Sequence, residues 1–494
     1  MRILGILAIL ASLVLGGAAV WMGGLNQDEG WYLYAAQMVA DGAVPYRDFF
    51  YTQAPVLPLV YSSFVWVWRE WGLLGARVLT LCLGGVGILF AVALVRRLVS
   101  RDSRLAASLM VFLLLGCNLY HLYYLAIPKT YALASLFAML GFYLLSLAVE
   151  GRRWMAFFAA LSLVYAAGTR ISLGALPMTV AVFFALRRQG RLLLWFCVGG
   201  AIGLALVYAP FVLDGQAFVG LLDAQRYHAA RGGSDIVWTV GSLSRLVRWY
   251  LPVFVLLGMG VLMRFCSGRR LPWTDAGGML PLLPWAFLAV FVIQMLAPFP
   301  YEDYQVPIMG LLAVYVSAVF AQAPVDSAGL ERLKLRVILT LGMTWACSFG
   351  SPLLEQWSTN GQDRFWSRKK PVYELPQLRA VAEKINAMDP NGTEILTQDL
   401  YLAIETRRRV PKGLEMGPFS MLSDEEWRRL LNSAPCRLAA LSGYSFAVNP
   451  PSCDERPIDV QMEYWSILKR KYDLSFREEN FGQNQTTLMV LERK

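Results

Sequence analysis

The sequence predicts a polytopic α-helical membrane protein with a small α/β piece at its C-terminal end. Three observations carry that reading. Of 494 residues, 56% are apolar and 16% are charged, where a soluble protein carries about 25% charged residues. Several apolar runs approach ~20 residues, the length that crosses a bilayer. Those runs stop near residue 353, and shorter amphipathic and alternating segments follow. The chain thus divides into a membrane part, 1–353, and a soluble part, 354–494.

Helix one is expected at about 3–24, just after Arg2. Its apolar run is longer than the core of a signal peptide, which favours an uncleaved anchor. The next stretch, about 25–72, alternates aromatic helical segments with the turn Pro45-Tyr46-Arg47-Asp48-Phe49-Phe50. Such segments suit helices lying in the membrane interface. Further spans are expected at about 73–95, 104–120, 130–149, 154–168, 172–186, 192–213, 247–264, 279–298, 306–322 and 337–353, about eleven in all.

Arginine clusters set the orientation. Arg96, Arg97, Arg101 and Arg104 lie on one side, with Arg152 and Arg153, and with Arg187, Arg188 and Arg191. That assignment puts 16 basic residues inside and 9 outside, so the N-terminus is inside and the tail outside. The net charge of +10 belongs to the membrane part, because the tail from Glu355 holds 20 basic and 20 acidic residues. The excess is a topology signal and does not point to nucleic acid. Ten of the membrane part's fifteen acids fall outside, which the basic bias does not explain.

In the tail, Leu378 to Met388 and about 462–472 read as helices, and a helix starts at Ser423. Glu394 to Thr397, Arg437 to Leu441 and Thr487 to Leu491 read as strands. Cys436 and Cys453 would face an oxidising compartment, where a disulfide between them fits. With two histidines and no CxxC pair, the pattern of a zinc site is missing.

The candidate site begins at Asp28-Glu29, two carboxylates at the mouth of helix one. Charge against a membrane helix is costly and therefore usually functional. Arg170, alone in a short outer turn between apolar helices, is a candidate anion ligand on the same ground. Arg231, with His228 close by, is a further candidate.

The order Asp28-Glu29-Gly30-Trp31-Tyr32, with Tyr46-Arg47-Asp48-Phe49-Phe50 about 18 residues on, resembles the first outer loop of the GT-C superfamily. That group includes protein O-mannosyltransferases and the aminoarabinose transferases of lipid A, which use lipid-phosphate sugars. The resemblance covers about 1–320 and implies a glycosyltransferase of the bacterial plasma membrane. Its donor would be a sugar on a polyprenyl (undecaprenyl) phosphate. Its acceptor would be a hydroxyl of a glycan, lipid or protein.

By position in the motif, Asp28 is the implied general base, with Glu29 supporting it or orienting the acceptor. Tyr46, within the motif, and Tyr304 are implied donor-binding residues, and Tyr301 and Tyr304 match an aromatic habit at a later helix mouth. The chemistry suits these residue types. A carboxylate takes the acceptor's proton, fixed cations hold the phosphate leaving group, and a single displacement inverts the anomeric centre.

The chain departs from lipid A-modifying relatives at Gln53-Ala54-Pro55, where they carry Lys-Pro-Pro, so a phosphate cation is missing there. Lys129 is a candidate replacement, and an interfacial snorkelling lysine is the equal alternative. Glu302-Asp303 form a second acidic pair, ranked below Asp28. The loop Gly413-Leu414-Glu415-Met416-Gly417-Pro418-Phe419 resembles one in relatives with extracytoplasmic tails. No cofactor is implied, and a divalent cation stays open because relatives differ. A transporter or lipid-sugar flippase is the competing class, but it would place charges mid-membrane and often show repeats.

Overall fold

A computed structural model describes residues 2–230, 236–266, 278–321, 329–348, 373–420, 422–433, 435–442, 458–483 and 485–494. Helices dominate. In the membrane part they are α1 (Arg2–Met22), α2 (Gln27–Ala40), α3 (Val56–Ser62), α4 (Val65–Leu98), α5 (Arg104–Gly116), α6 (Leu119–Ala126), α7 (Thr130–Val149) and α8 (Met155–Thr169). They continue as α9 (Ala175–Leu186), α10 (Gly190–Val212), α11 (Gly215–Ala230), α12 (Ile236–Trp249), α13 (Leu251–Cys266), α14 (Leu282–Met295), α15 (Val306–Ala321) and α16 (Gly329–Ser348).

Among the described residues, five helices are long and apolar enough to cross a membrane, or up to seven if each of two bent pairs is one span. Four shorter apolar helices accompany them. This is a multi-pass membrane protein, although its spans are less uniform than the run of eleven expected. Every residue of α15 is buried, so this helix forms the centre of the bundle.

The two bent pairs show where sequence periodicity fails. A single span was expected over 104–120, but the chain breaks after Gly116 and turns by 64° into α6. The Asn118 side chain accepts from the His121 amide and so starts the new helix. Its amide group also donates to the Trp249 carbonyl at 2.9 Å. The second bend, 80° between α12 and α13, lies there. His121 Nδ1 meets the Tyr250 hydroxyl at 2.8 Å. Each bend therefore satisfies polar groups that the other exposes.

The tail contains α17 (Glu374–Met388), α18 (Leu400–Thr406), α19 (Asp424–Ser433) and α20 (Ile458–Lys471). Its sheet has strands β1 (Leu438–Leu441), β2 (Tyr472–Phe481) and β3 (Thr486–Arg493) in the order β1-β3-β2, all antiparallel. Leu438 pairs with Glu492, and Tyr472 with Arg493. The expected strand at 394–397 is only two isolated bridges, Glu394 with Arg409 and Leu396 with Ala439. The polar strand β2 escaped the sequence reading because charged residues break its apolar alternation. The 353/354 boundary and Cys453 lie outside the described residues.

The tail is not an appendage with a separate interior. Leu33, Tyr51 and Trp68 of the first loop share one apolar core with Leu378, Tyr401 and Val490 of the tail. Polar contacts follow the same seam. The Tyr34 hydroxyl accepts from the Val410 amide at 3.0 Å, and Gln27 Nε2 donates to the Gln398 carbonyl at 3.2 Å. At the kink inside α4, Gly72 adopts φ +63°. There the Leu73 amide donates to Glu405 Oε2 at 2.8 Å, so a tail carboxylate caps the start of a membrane span.

The seam leaves no room for a side chain at Gly30, where a Cβ would run into the Tyr401 backbone nitrogen. Gly30→Ala should therefore separate α2 from α18 and destabilise the protein by about 1–3 kcal/mol, the usual cost of overpacking. Thermal unfolding in detergent would show a lowered midpoint, whereas an unchanged midpoint would mean that this contact is looser than described.

Candidate active site

The site grows from the start of α2. Asn26 caps the helix, its side chain accepting from the Asp28 amide at 3.1 Å. Glu29 Oε1 returns the bond by accepting from the Asn26 amide at 2.9 Å, which completes a capping box. This fixes Asp28 and Glu29 on opposite duties.

Glu29 points inward and is fully buried against Arg77 of α4. Arg77 Nε and Nη2 donate to its two oxygens at 2.7 and 2.6 Å. The same guanidinium donates to the carbonyls of Val20, Gly23 and Gly24, the end of α1. Neither charge touches solvent. An acceptor-orienting Glu29 does not fit this placement, because its side chain is closed inside the protein. Its duty is to lock α1, α2 and α4 together.

Asp28 points the other way and keeps 28% of its side chain exposed. Trp31 Nε1 donates to its Oδ1 at 3.0 Å. Lys129 Nζ stands 2.9 Å from its Oδ2. Lys129 also pairs with Asp303 Oδ2 at 3.4 Å, and the Tyr131 hydroxyl donates to that same oxygen at 2.8 Å. Glu302 turns aside to Arg245 at 3.0 Å.

Arg170 lies at the α8–α9 turn. Its guanidinium sits 4.1 Å from the Tyr304 ring centre and 5.2 Å from that of Tyr131. Its polar contact is with Thr130 Oγ1 at 3.4 Å, and its Nε has no hydrogen-bond partner. Among the described residues no carboxylate pairs with it. Lys129 stands 5.3 Å from the Tyr131 ring, so two cations flank one tyrosine. Arg170 and Tyr304 border a cleft of about 390 Å³ that includes Ile171, Ala175, Ile293 and Ala297. Ile171 and Ile293 are largely exposed, which gives the cleft an apolar approach with a cation at its end. Burial pushes the Tyr32 phenol well above its ordinary value, and the neighbouring Asp28 charge adds to that shift.

The structure brings together Asp28, Lys129, Arg170 and Tyr304 from separate parts of the chain. Tyr46 is placed differently. Its ring packs against Phe211 and Tyr51, and its hydroxyl donates to the Gln53 carbonyl. Beside it, Arg47 binds Asp48 and Asp214 at 2.9 and 3.2 Å, which fastens the first loop to the end of α10. The loop motif around Tyr46 is thus architectural. Arg231 and the side chain of His228 lie outside the described residues.

Trp31 and Asp303 were undervalued in the sequence. Trp31 sits three residues after Asp28 on one helix, a spacing that brings side chains together. Asp303 is 174 residues from Lys129, and no local pattern links them. Phe419, from the 413–419 loop of the tail, meets the Trp31 ring edge-on at 6.5 Å, so the tail reaches the site. Among the described residues, no group of three or more His, Cys, Asp or Glu side chains is arranged to hold a metal ion.

No protein-family model matches the sequence, and no curated protein does. Solved structures do match in shape. The aminoarabinose transferase ArnT from Cupriavidus metallidurans superposes with a TM-score of 0.62 at 13% identity, over 98% of this chain and 97% of that one. The same enzyme bound to undecaprenyl phosphate gives 0.60 at 13% identity over the same shares. The Archaeoglobus fulgidus oligosaccharyltransferase gives 0.51 at 11% identity, over 88% of this chain and 69% of that one. The chain has the GT-C fold.

The fully buried Glu29–Arg77 pair makes the fold sensitive to mutation at this point. Arg77→Ala strands a buried carboxylate and three helix-end carbonyls, and should cost about 3–5 kcal/mol. Thermal unfolding of the purified variant in detergent measures it, and wild-type stability would rule out the locking role.

Proposed function

We propose that the protein transfers a sugar from a polyprenyl phosphate carrier to an acceptor hydroxyl, at the outer face of a bacterial plasma membrane. The observation that carries this reading is a partly exposed carboxylate paired with Lys129, in a cluster with a second cation, Arg170, which has no carboxylate partner among the described residues and closes an apolar cleft. An amphiphile with an anionic head and an apolar tail matches that pattern. The likeness to ArnT bound to undecaprenyl phosphate supports the same donor class.

In this reading the donor phosphate lies between Arg170 and Lys129. The acceptor oxygen attacks C1 of the sugar while the bond from C1 to the phosphate oxygen breaks. The bonding pair leaves with the phosphate, whose charge the two cations hold. The acceptor proton passes to Asp28. One in-line displacement inverts C1. The tail, through Phe419 and Trp31, borders the acceptor side. The 354–494 piece is then an extracytoplasmic part of the catalytic unit.

Asp28→Asn should lower transfer by at least about 100-fold, the contribution of a positioned base, while the protein stays folded and membrane-inserted. Arg170→Ala should raise the donor KM about tenfold or more through loss of a charge-assisted contact, with little change in the acceptor KM. Mass spectrometry of envelope glycans, lipids and proteins from a deletion strain identifies the missing sugar. Complementation by each variant then scores it. Full activity of Asp28→Asn would end the base assignment.

A further inference from the structure

Lys129 has an unusual position for a cation assigned to a phosphate. It is already engaged by two carboxylates. Its Nζ is 2.9 Å from Asp28 Oδ2 and 3.4 Å from Asp303 Oδ2. Both the ammonium and Asp303 are nearly enclosed, with 10% and 9% of their side chains exposed, against 28% for Asp28. Asp303 is held in turn by the Tyr131 hydroxyl at 2.8 Å. The rings of Tyr124 and Tyr131 lie 5.8 and 5.3 Å from the ammonium. The inner carboxylate is therefore the fixed partner of Lys129, and Asp28 is the outer, solvent-reached partner.

An ion pair on a would-be base has a chemical consequence. With the ammonium at 2.9 Å, Asp28 Oδ2 faces a cation rather than an acceptor hydroxyl. The two carboxylates match the charges of Lys129 and Arg170, so the closed cluster offers an incoming phosphate no net positive charge. Both difficulties end if the phosphate replaces Asp28 at Lys129.

We propose that Lys129 is an exchangeable counterion: it pairs with Asp28 until the donor phosphate takes Asp28's place, so the base is released only when donor is bound. Asp303 keeps the ammonium at the site during the exchange. This rests on the reading that the polyprenyl phosphate docks between Arg170 and Lys129. It adds an order to the reaction, with donor first and proton acceptance second. It also gives a reason why bare acceptor or water meets an occupied base in the donor-free enzyme.

Exchange means that Asp28 and phosphate compete for one ammonium, which a double-mutant cycle detects. The probe is undecaprenyl phosphate, titrated into the full-length protein in lipid nanodiscs and followed by tryptophan fluorescence. Lys129→Gln should weaken binding about tenfold. Asp28→Asn should tighten it about fivefold or more, since the competitor is gone. In the Lys129→Gln background, Asp28→Asn should change binding by less than about twofold. Equal tightening in both backgrounds would mean simple charge repulsion and would overturn the exchange, as would no tightening at all. Lys129→Met serves as a second neutral replacement should Lys129→Gln not fold. Transfer activity of Asp28→Asn decides the base assignment separately, so failure of that reading and failure of the exchange give different results.

Discussion

The buried pair between Arg77 and Glu29 is the constraint on which the rest depends. Two charges removed from water are tolerated only when their geometry is good and their remaining donors are used. Here the guanidinium serves one carboxylate and three helix-end carbonyls. It thereby joins the end of α1, the start of α2 and the upper part of α4. The direction in which Asp28 points follows directly. On the first turn of a helix, neighbouring side chains diverge, so fixing Glu29 inward aims Asp28 outward. An acidic pair is thus split into a buried architectural member and a partly exposed one.

The second constraint is the seam between the first loop and the tail. α2 carries Asp28, and its other face lies against α18 with no room for a side chain at Gly30. The tail also supplies Glu405 to the kink of α4 and Phe419 to the edge of Trp31. The helix that bears Asp28 is therefore clamped between a membrane span and a folded tail. Such a helix has little freedom to drift, so Asp28 keeps its place relative to Lys129 and Trp31.

Much of this was legible in the sequence, in uneven measure. Composition and apolar run length pointed to a polytopic membrane protein, because the bilayer imposes those on any spanning helix. The bends at Asn118 and Tyr250 were not legible, because each depends on the other across more than a hundred residues. The strands β1 and β3 were visible as apolar runs, while β2 carries too many charges to announce itself. In the site, Asp28, Arg170, Lys129 and Tyr304 were picked individually from position and resemblance. Their meeting around Tyr131 and Asp303 is a product of the tertiary fold. Tyr46 shows the opposite limit, since a motif conspicuous in the sequence turned out to hold a loop together.

The cap on α4 has a consequence for how the chain is made. Leu73 and Glu405 are separated by 332 positions. A ribosome finishes α4 long before α18 emerges, so that span enters the bilayer with an open end. The turn at that end is completed only after the intervening helices are inserted and the tail has folded against it. The seat of Asp28 is accordingly one of the last parts of the molecule to mature. A chain arrested midway would reside in the membrane with its spans in order and its chemistry unassembled. The tail thus works as a biosynthetic keystone, set after the arch it closes.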